Sequence, residues 1–260
     1  MSLLSSSRRA TTLAPPLPVR NALFQRAGLV FRRGQFSLLA AGPGVGKTLF
    51  ATNTSLRTPV PTLYFSADSD EWTVKQRACS ILTGAELNAV EKQLNEEQWE
   101  KFYTDKLRSA DQIDWSYNPD IDLEFIVRRI FAHAEPRGEF PQLIVVDNLG
   151  NTVVDQDNEG AELRSACREL QRIARMTKAH VMALHHTVGQ YENGDKPIPL
   201  NGLLYNLGKV PEVVLSLHWP NPSDKRQVQL TVPKYRTGPQ GAVITLPIDY
   251  TRATIGGFSG

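Results

Sequence analysis

One short stretch constrains the fold of this chain more than any other. Residues 40–49 read AAGPGVGKTL and fit the phosphate-binding loop pattern [AG]-x-x-x-x-G-K-[ST], with Ala41 in the position usually held by glycine. Such a loop joins a buried strand to a helix whose N-terminus faces an anion. The run QFSLLA precedes the loop and a helix-compatible run follows it. The stretch therefore predicts an α/β domain that binds a nucleoside triphosphate.

The same loop predicts roles for its individual residues. Lys47 is placed to reach the β- and γ-phosphates, and the Thr48 hydroxyl is placed to bind Mg²⁺. The glycines allow a tight turn that points successive main-chain N–H groups at phosphate oxygens. The predicted nucleotide-binding residues are Gly42, Pro43, Gly44, Val45, Gly46, Lys47, Thr48 and Leu49.

Charge is distributed unevenly along the 260 residues. The first acidic residue is Asp68, so residues 1–67 carry eight basic side chains and no acid. The remainder carries 21 basic and 27 acidic residues, a net charge of −6. A basic front half suits a polyanionic partner such as nucleic acid. For Arg8 and Arg9 alone, a solvated arm is an equally good interpretation.

Composition bounds the domain organisation and the compartment. Residues 1–20 are rich in Ser, Thr, Pro and Arg and predict a flexible basic arm, whereas residues 21–260 predict one ATPase-type domain. The two cysteines, Cys79 and Cys167, give neither a disulfide framework nor a metal-binding spacing, which favours a reducing, cytoplasmic setting. No apolar run is long enough to cross a membrane, so no membrane partner is expected.

Two further strands are predicted to end in carboxylates. The run TLYFSA at 62–67 is followed by Asp68 and Asp70, and the run LIVV at 143–146 is followed by Asp147. Open α/β sheets place their chemistry at the carboxyl ends of parallel strands. About 100 residues after a phosphate loop, Asp147 is the expected second nucleotide motif, whose carboxylate holds Mg²⁺.

A pair of histidines ends the strand predicted at 181–186. Adjacent residues of a strand face opposite sides, so His185 and His186 cannot both enter one site. One is expected to pack or cap, and the other to point to the nucleotide. A metal site at this pair is not predicted, because no third ligand is apparent.

The remaining pattern predicts helices and strands in alternation. Helices are expected over 72–82, 85–108, 121–134 and 161–177, short strands at 113–117 and 213–217, a mobile loop at 189–199, and a terminal hairpin formed by 227–232 and 242–248. Lys234 and Arg236 lie just before the turn of this hairpin.

An ordered series of segments resembles the RecA-like core of DnaB-type ring helicases and of hexameric RepA-type plasmid helicases. Between about residues 31 and 257 the series reads GPGVGKT, LYFSADSD, LIVVDNL, RELQRIARMTKAHV, ALHHT and KYRTGPQG. ALHHT is closer to the RepA-type pattern, and the chain looks like a small phage- or plasmid-type version. The resemblance implies a RecA-like P-loop fold, with a mostly parallel sheet flanked by helices and a C-terminal β-hairpin. It also implies ATP and Mg²⁺ as cofactors.

Carried over position by position, the resemblance implies roles around the γ-phosphate. Thr48 and Asp147 hold Mg²⁺. Asp68 orients the attacking water as the catalytic base, a position where the family normally has Glu. Asp70 is the alternative base, although it better fits the N-cap of the following helix. His186 senses the γ-phosphate, and a hydrogen-bonded strand-end histidine is the alternative reading.

The resemblance also implies contacts with neighbours and with DNA. Lys234 and Arg236 match residues that reach into the adjacent subunit's site, whereas an ordinary surface hairpin would use them to protect an edge. The loops at 189–199 and 202–209 are expected to line a single-stranded DNA path. Lys209 is a candidate phosphate contact there, and Tyr205 is a candidate base contact.

Three function classes follow. The leading hypothesis is an ATP-hydrolysing motor on single-stranded DNA that works as a ring or filament of identical subunits, with replication or recombination proteins as further partners. Unwinding and strand pairing share this core, so the helicase and recombinase readings both stay open. A second class is an ATP-dependent loader or regulatory ATPase. A third is a small-molecule phosphotransferase, which the strands after Asp147 disfavour.

Overall fold

Buried apolar runs build a single nine-stranded sheet in a computed structural model that describes residues 14–258, apart from the side chain of Gln156. The strands are β1 Phe36–Ala41, β2 Thr62–Ser66, β3 Ile113–Ser116, β4 Leu143–Asp147, β5 His180–His186, β6 Val213–His218, β7 Gln227–Tyr235, β8 Val243–Asp249 and β9 Thr254–Ile255. Their order across the sheet is β3-β2-β4-β5-β1-β6-β7-β8-β9. The first six are parallel and the last three antiparallel. The predicted α/β fold with antiparallel C-terminal strands is confirmed.

Helices cover both faces of the sheet. They are α1 Ala22–Arg26, α2 Lys47–Leu56, α3 Glu71–Thr83, α4 Leu87–Leu94, α5 Glu100–Arg108, α6 Leu123–Arg137 and α7 Glu159–Thr177. Because side chains of a strand alternate in direction, β1 sends Leu39 into one core cluster and Leu38 into the other. Burial on both faces explains why all six residues of β1 are apolar or small. Within residues 14–258, no helix is long and apolar enough to span a bilayer.

Two stretches differ from the sequence prediction. The single helix expected over 85–108 is two helices, because the chain turns at 95–99 and so brings Tyr103 into one buried cluster with Val90 and Leu94. Of the predicted arm, residues 1–13 lie outside the described residues. Residues 14–20 run along the domain instead: Leu17 is buried, and its N–H donates to the Phe31 carbonyl at 2.8 Å.

The parallel strands give the sheet two chemically distinct ends. At the carboxyl end lie the loop after β1, the residues after β2 and β4, and the last residues of β5. At the amino end, Val213 at the start of β6 pairs with Tyr235 at the close of β7. The site predicted around Lys47 therefore lies at the carboxyl end, and the segment with Lys234 and Arg236 lies at the amino end.

Candidate nucleotide site

The loop between β1 and α2 wraps around the side chain of Lys47. Gly46 has φ +114°, a conformation that favours glycine, and this turn directs the first N–H groups of α2 into the site. The Lys47 side chain is buried, and its ammonium donates to the carbonyls of Ala41 at 2.9 Å and Gly42 at 3.2 Å. Burial lowers the pKa of Lys47 to about 8, which leaves most of it charged at neutral pH. The cation is thus held at the centre of the loop.

Gly42 makes a close approach that a side chain would prevent. A Cβ at this position would lie 2.2 Å from the Glu192 carbonyl oxygen and 3.0 Å from the Gly194 nitrogen. Trp219 fixes the same segment from the other side, since its main-chain N–H donates to the Gly194 carbonyl at 2.8 Å. The phosphate loop is therefore packed directly against the loop predicted at 189–199.

Asp147, at the end of β4, is a buried carboxylate with few partners. The Tyr64 hydroxyl donates to its Oδ2 at 3.1 Å, and it shares a hydrogen bond with the Thr48 hydroxyl. Burial is the largest influence on this group and raises the pKa of Asp147 to about 6. The fold therefore keeps a carboxylate in a buried place where the Lys47 charge and two hydroxyls only partly compensate its charge.

These donors fit a magnesium ion held together with a nucleotide. Thr48 and Asp147 offer hard oxygen ligands, which Mg²⁺ prefers, and they lie in contact beside the loop. Mg²⁺ is commonly bound through one or two protein carboxylates, with substrate phosphates and water completing its ligands.

His186 connects the loop to the residue that follows β2. Its Nδ1 lies 3.1 Å from the Lys47 ammonium, and its Nε2 lies 3.9 Å from Asp68 Oδ2. Because a charged lysine only donates, Nδ1 is the acceptor, and the neutral ring carries its proton on Nε2, toward Asp68. Burial, followed by the Lys47 charge, lowers the pKa of His186. His185 is buried, and burial lowers its pKa to about 4.

The two aspartates after β2 have different surroundings. Asp70 is the N-cap of α3 and accepts the Thr73 N–H at 2.8 Å. The Asp68 carboxylate faces His186 and accepts from the Asn148 amide at 2.6 Å. The assignment of Asp68 as the base stays a prediction, and its position beside His186 agrees with it.

Two residues that carried no sequence motif also line this site, a cavity of about 380 Å³. Arg77 of α3 donates to the Ser69 hydroxyl at 3.2 Å. Tyr250, after β8, donates to the Val45 carbonyl at 3.2 Å. The one sequence signal for Arg77 is its spacing of two helical turns from Asp70, which puts both on one face of α3. Nothing local indicates Tyr250, since it reaches the loop only through the order of the strands.

Lys234 and Arg236 do not enter this chain's own nucleotide site. They lie at the amino end of the sheet, where the Lys234 ammonium donates to the carbonyls of Gly208 at 2.8 Å and Lys209 at 2.7 Å. Arg236 Nη1 lies 3.9 Å from Glu212 Oε1. Their predicted action on an adjacent subunit stays a prediction.

The predicted DNA contacts lie on the 3₁₀ turn Leu204–Lys209. The Lys209 side chain is exposed. Tyr205 is partly exposed, its hydroxyl donates to Glu159 Oε2 at 2.9 Å, and its ring fills the space that a side chain at Gly160 would occupy. Both contacts with DNA remain predictions.

Comparison with known proteins places this geometry in a family. The family model described as "AAA domain" matches residues 6–189, more than half of the chain. The chain belongs to this AAA-domain family. Its similar relatives include the Gene 65 protein of Mycobacterium phage L5, 39% identical over 206 residues that cover 78% of this chain and 76% of the relative. The Gene 65 protein of Mycobacterium phage D29 is 40% identical over 184 residues, covering 70% and 79%. These phage relatives agree with the expected small phage-type version.

Three solved structures superpose on this AAA-domain protein over most of its length. A DnaB-like replicative helicase, solved in a study of its interactions with primase, superposes with a TM-score of 0.81 at 16% identity, over 97% of this chain and 64% of that one. A second solved structure, of an ATPase domain alone, gives 0.79 at 16% identity, over 99% and 96%. A KaiC-like protein from Pyrococcus horikoshii gives 0.63 at 14% identity, over 94% and 98%. The predicted RecA-like fold of DnaB-type ATPase domains is confirmed.

Proposed function

We propose that this AAA-domain protein hydrolyses ATP and uses hydrolysis to move on single-stranded DNA, as a DnaB-like helicase-type ATPase in replication or recombination. The proposal rests on one arrangement: Lys47, Thr48 and Asp147 form a cation–hydroxyl–carboxylate cluster at the phosphate loop, in which Lys47 and Asp147 are buried and Thr48 is half-buried. Asp68 and His186 face that cluster from the neighbouring strands. We place its action in the cytoplasm, in the host cell if a phage encodes it.

The residues of the site have two kinds of role in hydrolysis, binding of the phosphates and metal, and transfer of a proton. Bound Mg²⁺ would neutralise charge that develops on the β- and γ-phosphate oxygens. The main chain from Gly42 to Gly46 and the Lys47 ammonium bind and orient the phosphates, while Thr48 and Asp147 hold the metal. Asp68 accepts a proton from the attacking water at a carboxylate oxygen. His186, bridging Lys47 and Asp68, senses the γ-phosphate.

Two further residues supply contacts away from the γ-phosphate. Arg77 adds a second positive charge to the wall of the cavity. Tyr250 presents a partly exposed ring beside the loop, where it can contact the nucleotide base.

Assembly and DNA binding are supported by position. Lys234 and Arg236 lie at the end of the sheet away from their own nucleotide, where only another subunit's site could use them. The fold is also closer to the DnaB-like helicase and to the separate ATPase domain, with TM-scores of 0.81 and 0.79, than to the KaiC-like protein at 0.63. We therefore propose a ring or filament of identical subunits, with Lys209 and Tyr205 contacting single-stranded DNA and replication or recombination proteins as partners.

The test is the steady-state ATPase rate with and without single-stranded DNA, alongside the oligomeric state with nucleotide. We expect DNA to stimulate hydrolysis, and Lys47→Ala to abolish it, because the phosphates lose their cation. Lys101→Ala, which removes an exposed lysine of α5, is the matched control and should hydrolyse normally. Near-normal turnover by Lys47→Ala would refute the assignment of the loop. Slow hydrolysis that ignores DNA would favour a loader or regulatory ATPase, and unwinding and strand-exchange assays separate helicase from recombinase.

A further inference from the structure

We propose that Asn148 is a positioning residue that holds the Asp68 carboxylate for its role as base and ties it to the turn Leu149–Thr152. The inference rests on the proposed function, in which Asp68 accepts the proton of the attacking water. Asn148 directly follows Asp147 in the segment LIVVDNL and is 8% exposed.

The Asn148 amide is fixed by two partners of opposite kind. Its Nδ2 donates to Asp68 Oδ2 at 2.6 Å, and its Oδ1 accepts the Gly150 N–H at 2.7 Å. A carboxylate can only accept and a main-chain N–H can only donate. Turning the amide over would therefore lose both hydrogen bonds, so the two contacts together select one orientation.

The hydrogen bond from Asn148 is the main side-chain support of the Asp68 carboxylate. Its side chain is 44% exposed, and His186 Nε2 at 3.9 Å lies beyond hydrogen-bond distance. In the part of the chain that the structure describes, the Asn148 amide supplies the one side-chain hydrogen bond to this carboxylate. Exposed aspartates sample several rotamers, so a buried donor on one side selects the position from which a water can be oriented.

The turn behind Asn148 is built to support it. Leu149 is fully buried in the core beneath α7, which anchors the turn to the domain. A Cβ at Gly150 would lie 2.9 Å from Asn148 Oδ1, closer than side chains approach. Glycine at 150 therefore lets the N–H reach the amide. Gly150→Ala should displace the Asn148 side-chain amide although neither Asn148 nor Asp68 is itself substituted.

Loss of the amide has one expected consequence for hydrolysis. The Asp68 carboxylate becomes less ordered, so it orients the attacking water less well and kcat falls. Nucleotide binding should not change, because it uses Lys47 and the phosphate loop.

The experiment measures kcat, KM and affinity for a fluorescent ATP analogue of Asn148→Ala, Gly150→Ala and Asn151→Ala. We expect Asn148→Ala to lower kcat by about 10- to 100-fold, with nucleotide affinity kept. Gly150→Ala should lower kcat by less, also with nucleotide affinity kept. Asn151→Ala is the matched control, since its side chain has no hydrogen bond among residues 14–258, and it should resemble wild type.

The outcomes separate this inference from the function beneath it. A wild-type chain without ATPase activity would overturn the proposed function and this inference together. Normal hydrolysis by the wild type, together with an unchanged kcat in Asn148→Ala, would overturn the positioning role alone. A fall in nucleotide affinity that matches the fall in kcat would also overturn it, because that pattern indicates general damage to the site. If Asn148→Ala does not fold, the same comparison with Gly150→Ala decides.

Discussion

Two buried carboxylates lie at opposite ends of the sheet, and the fold supports them differently. Asp147, at the carboxyl end, has hydrogen bonds from two hydroxyls, and burial raises its pKa to about 6. Glu212, at the amino end, accepts from the Phe36 N–H at 3.0 Å, the Gln171 amide at 2.7 Å and the Arg175 guanidinium at 3.0 Å. Glu212 thus joins β1 to α7 as a fully bonded group, whereas Asp147 keeps oxygen atoms for a cation.

The difference teaches how to recognise a functional carboxylate. A buried charge that is surrounded by donors stabilises its own position and leaves little capacity for a ligand. A buried charge that its neighbours support only in part is retained at a cost, which a ligand can offset. Charge and burial alone would not separate Asp147 from Glu212, but the number and kind of their donors do.

The largest expected effect tests whether the amino end acts on another subunit. Arg236→Ala should bind ATP normally and still oligomerise, yet hydrolyse about 10³- to 10⁵-fold more slowly, because a cation from a neighbour acts on charge present only in the transition state. Mixing it with inactive Lys47→Ala subunits should restore activity, since an intact loop then meets an intact Arg236. ATPase assays on mixtures with demonstrated subunit exchange measure this.

Arg226→Ala, which removes an exposed arginine paired with Asp224, is the control for that experiment and should hydrolyse normally. Wild-type hydrolysis by Arg236→Ala alone would point to a self-contained site. Mixtures that exchange subunits but recover nothing would point the same way.

A smaller effect is expected when the fully bonded carboxylate is removed. Glu212→Ala should lower the free energy of unfolding by about 3 to 4 kcal/mol, because the Phe36 N–H and the Gln171 amide lose their acceptor in a buried place. Urea denaturation measures it. Asp105→Ala, which breaks an exposed pair with Arg108, should change stability by no more than about 0.5 kcal/mol. Equal losses in the two variants would remove the distinction between Glu212 and a surface acid.

The smallest expected effect is a gain, not a loss, in the free energy of unfolding, and it comes from replacing Asp147. The pKa of Asp147 is higher in the folded than in the unfolded chain, so the folded state binds the proton more tightly. The contribution of Asp147 to stability therefore falls as pH rises from about 4 to 6, and its whole cost is present above that window. Without Mg²⁺ and nucleotide, Asp147→Asn should be about 3 kcal/mol more stable than wild type at pH 8 and equally stable near pH 4.

Urea denaturation at the two pH values checks this prediction, with Asp105→Asn as an exposed control that should show no gain. The same Asp147→Asn variant should lose hydrolysis, since Mg²⁺ loses its carboxylate. A variant that is less stable than wild type at pH 8 would mean that Asp147 is supported as Glu212 is.

Much of the candidate site could be predicted because its residues follow contiguous patterns. The phosphate loop, the strand before Asp147 and the strand ending at His186 can each be recognised within ten residues or fewer. Parallel pairing then brings their carboxyl ends together, whatever the lengths of the helices between them. The capping role available to Asp70 was likewise visible in the sequence, since capping depends only on the next turn of helix.

The missing parts depend on contacts that no local pattern encodes. Arg77 and Tyr250 meet at one cavity although they lie far apart in sequence. Glu212 reaches the N–H of Phe36 across 176 residues, so its role emerges only when β1 and β6 are neighbours. The helix predicted over 85–108 failed for a related reason: burial of Tyr103 against α4 outweighs the helix-like spacing of the residues around the break.

The contact of Gly42 with Glu192 has a thermodynamic consequence. Two segments that touch through main-chain atoms, with no side chain between them to rearrange, cannot fluctuate independently. A ligand that orders the phosphate loop therefore also orders the neighbouring loop. The first binding event then carries the conformational-entropy cost of ordering both loops, and the second does not repeat it. Whatever next binds to the second loop meets a surface that is already ordered. In this way two binding events can favour each other without any displacement of atoms.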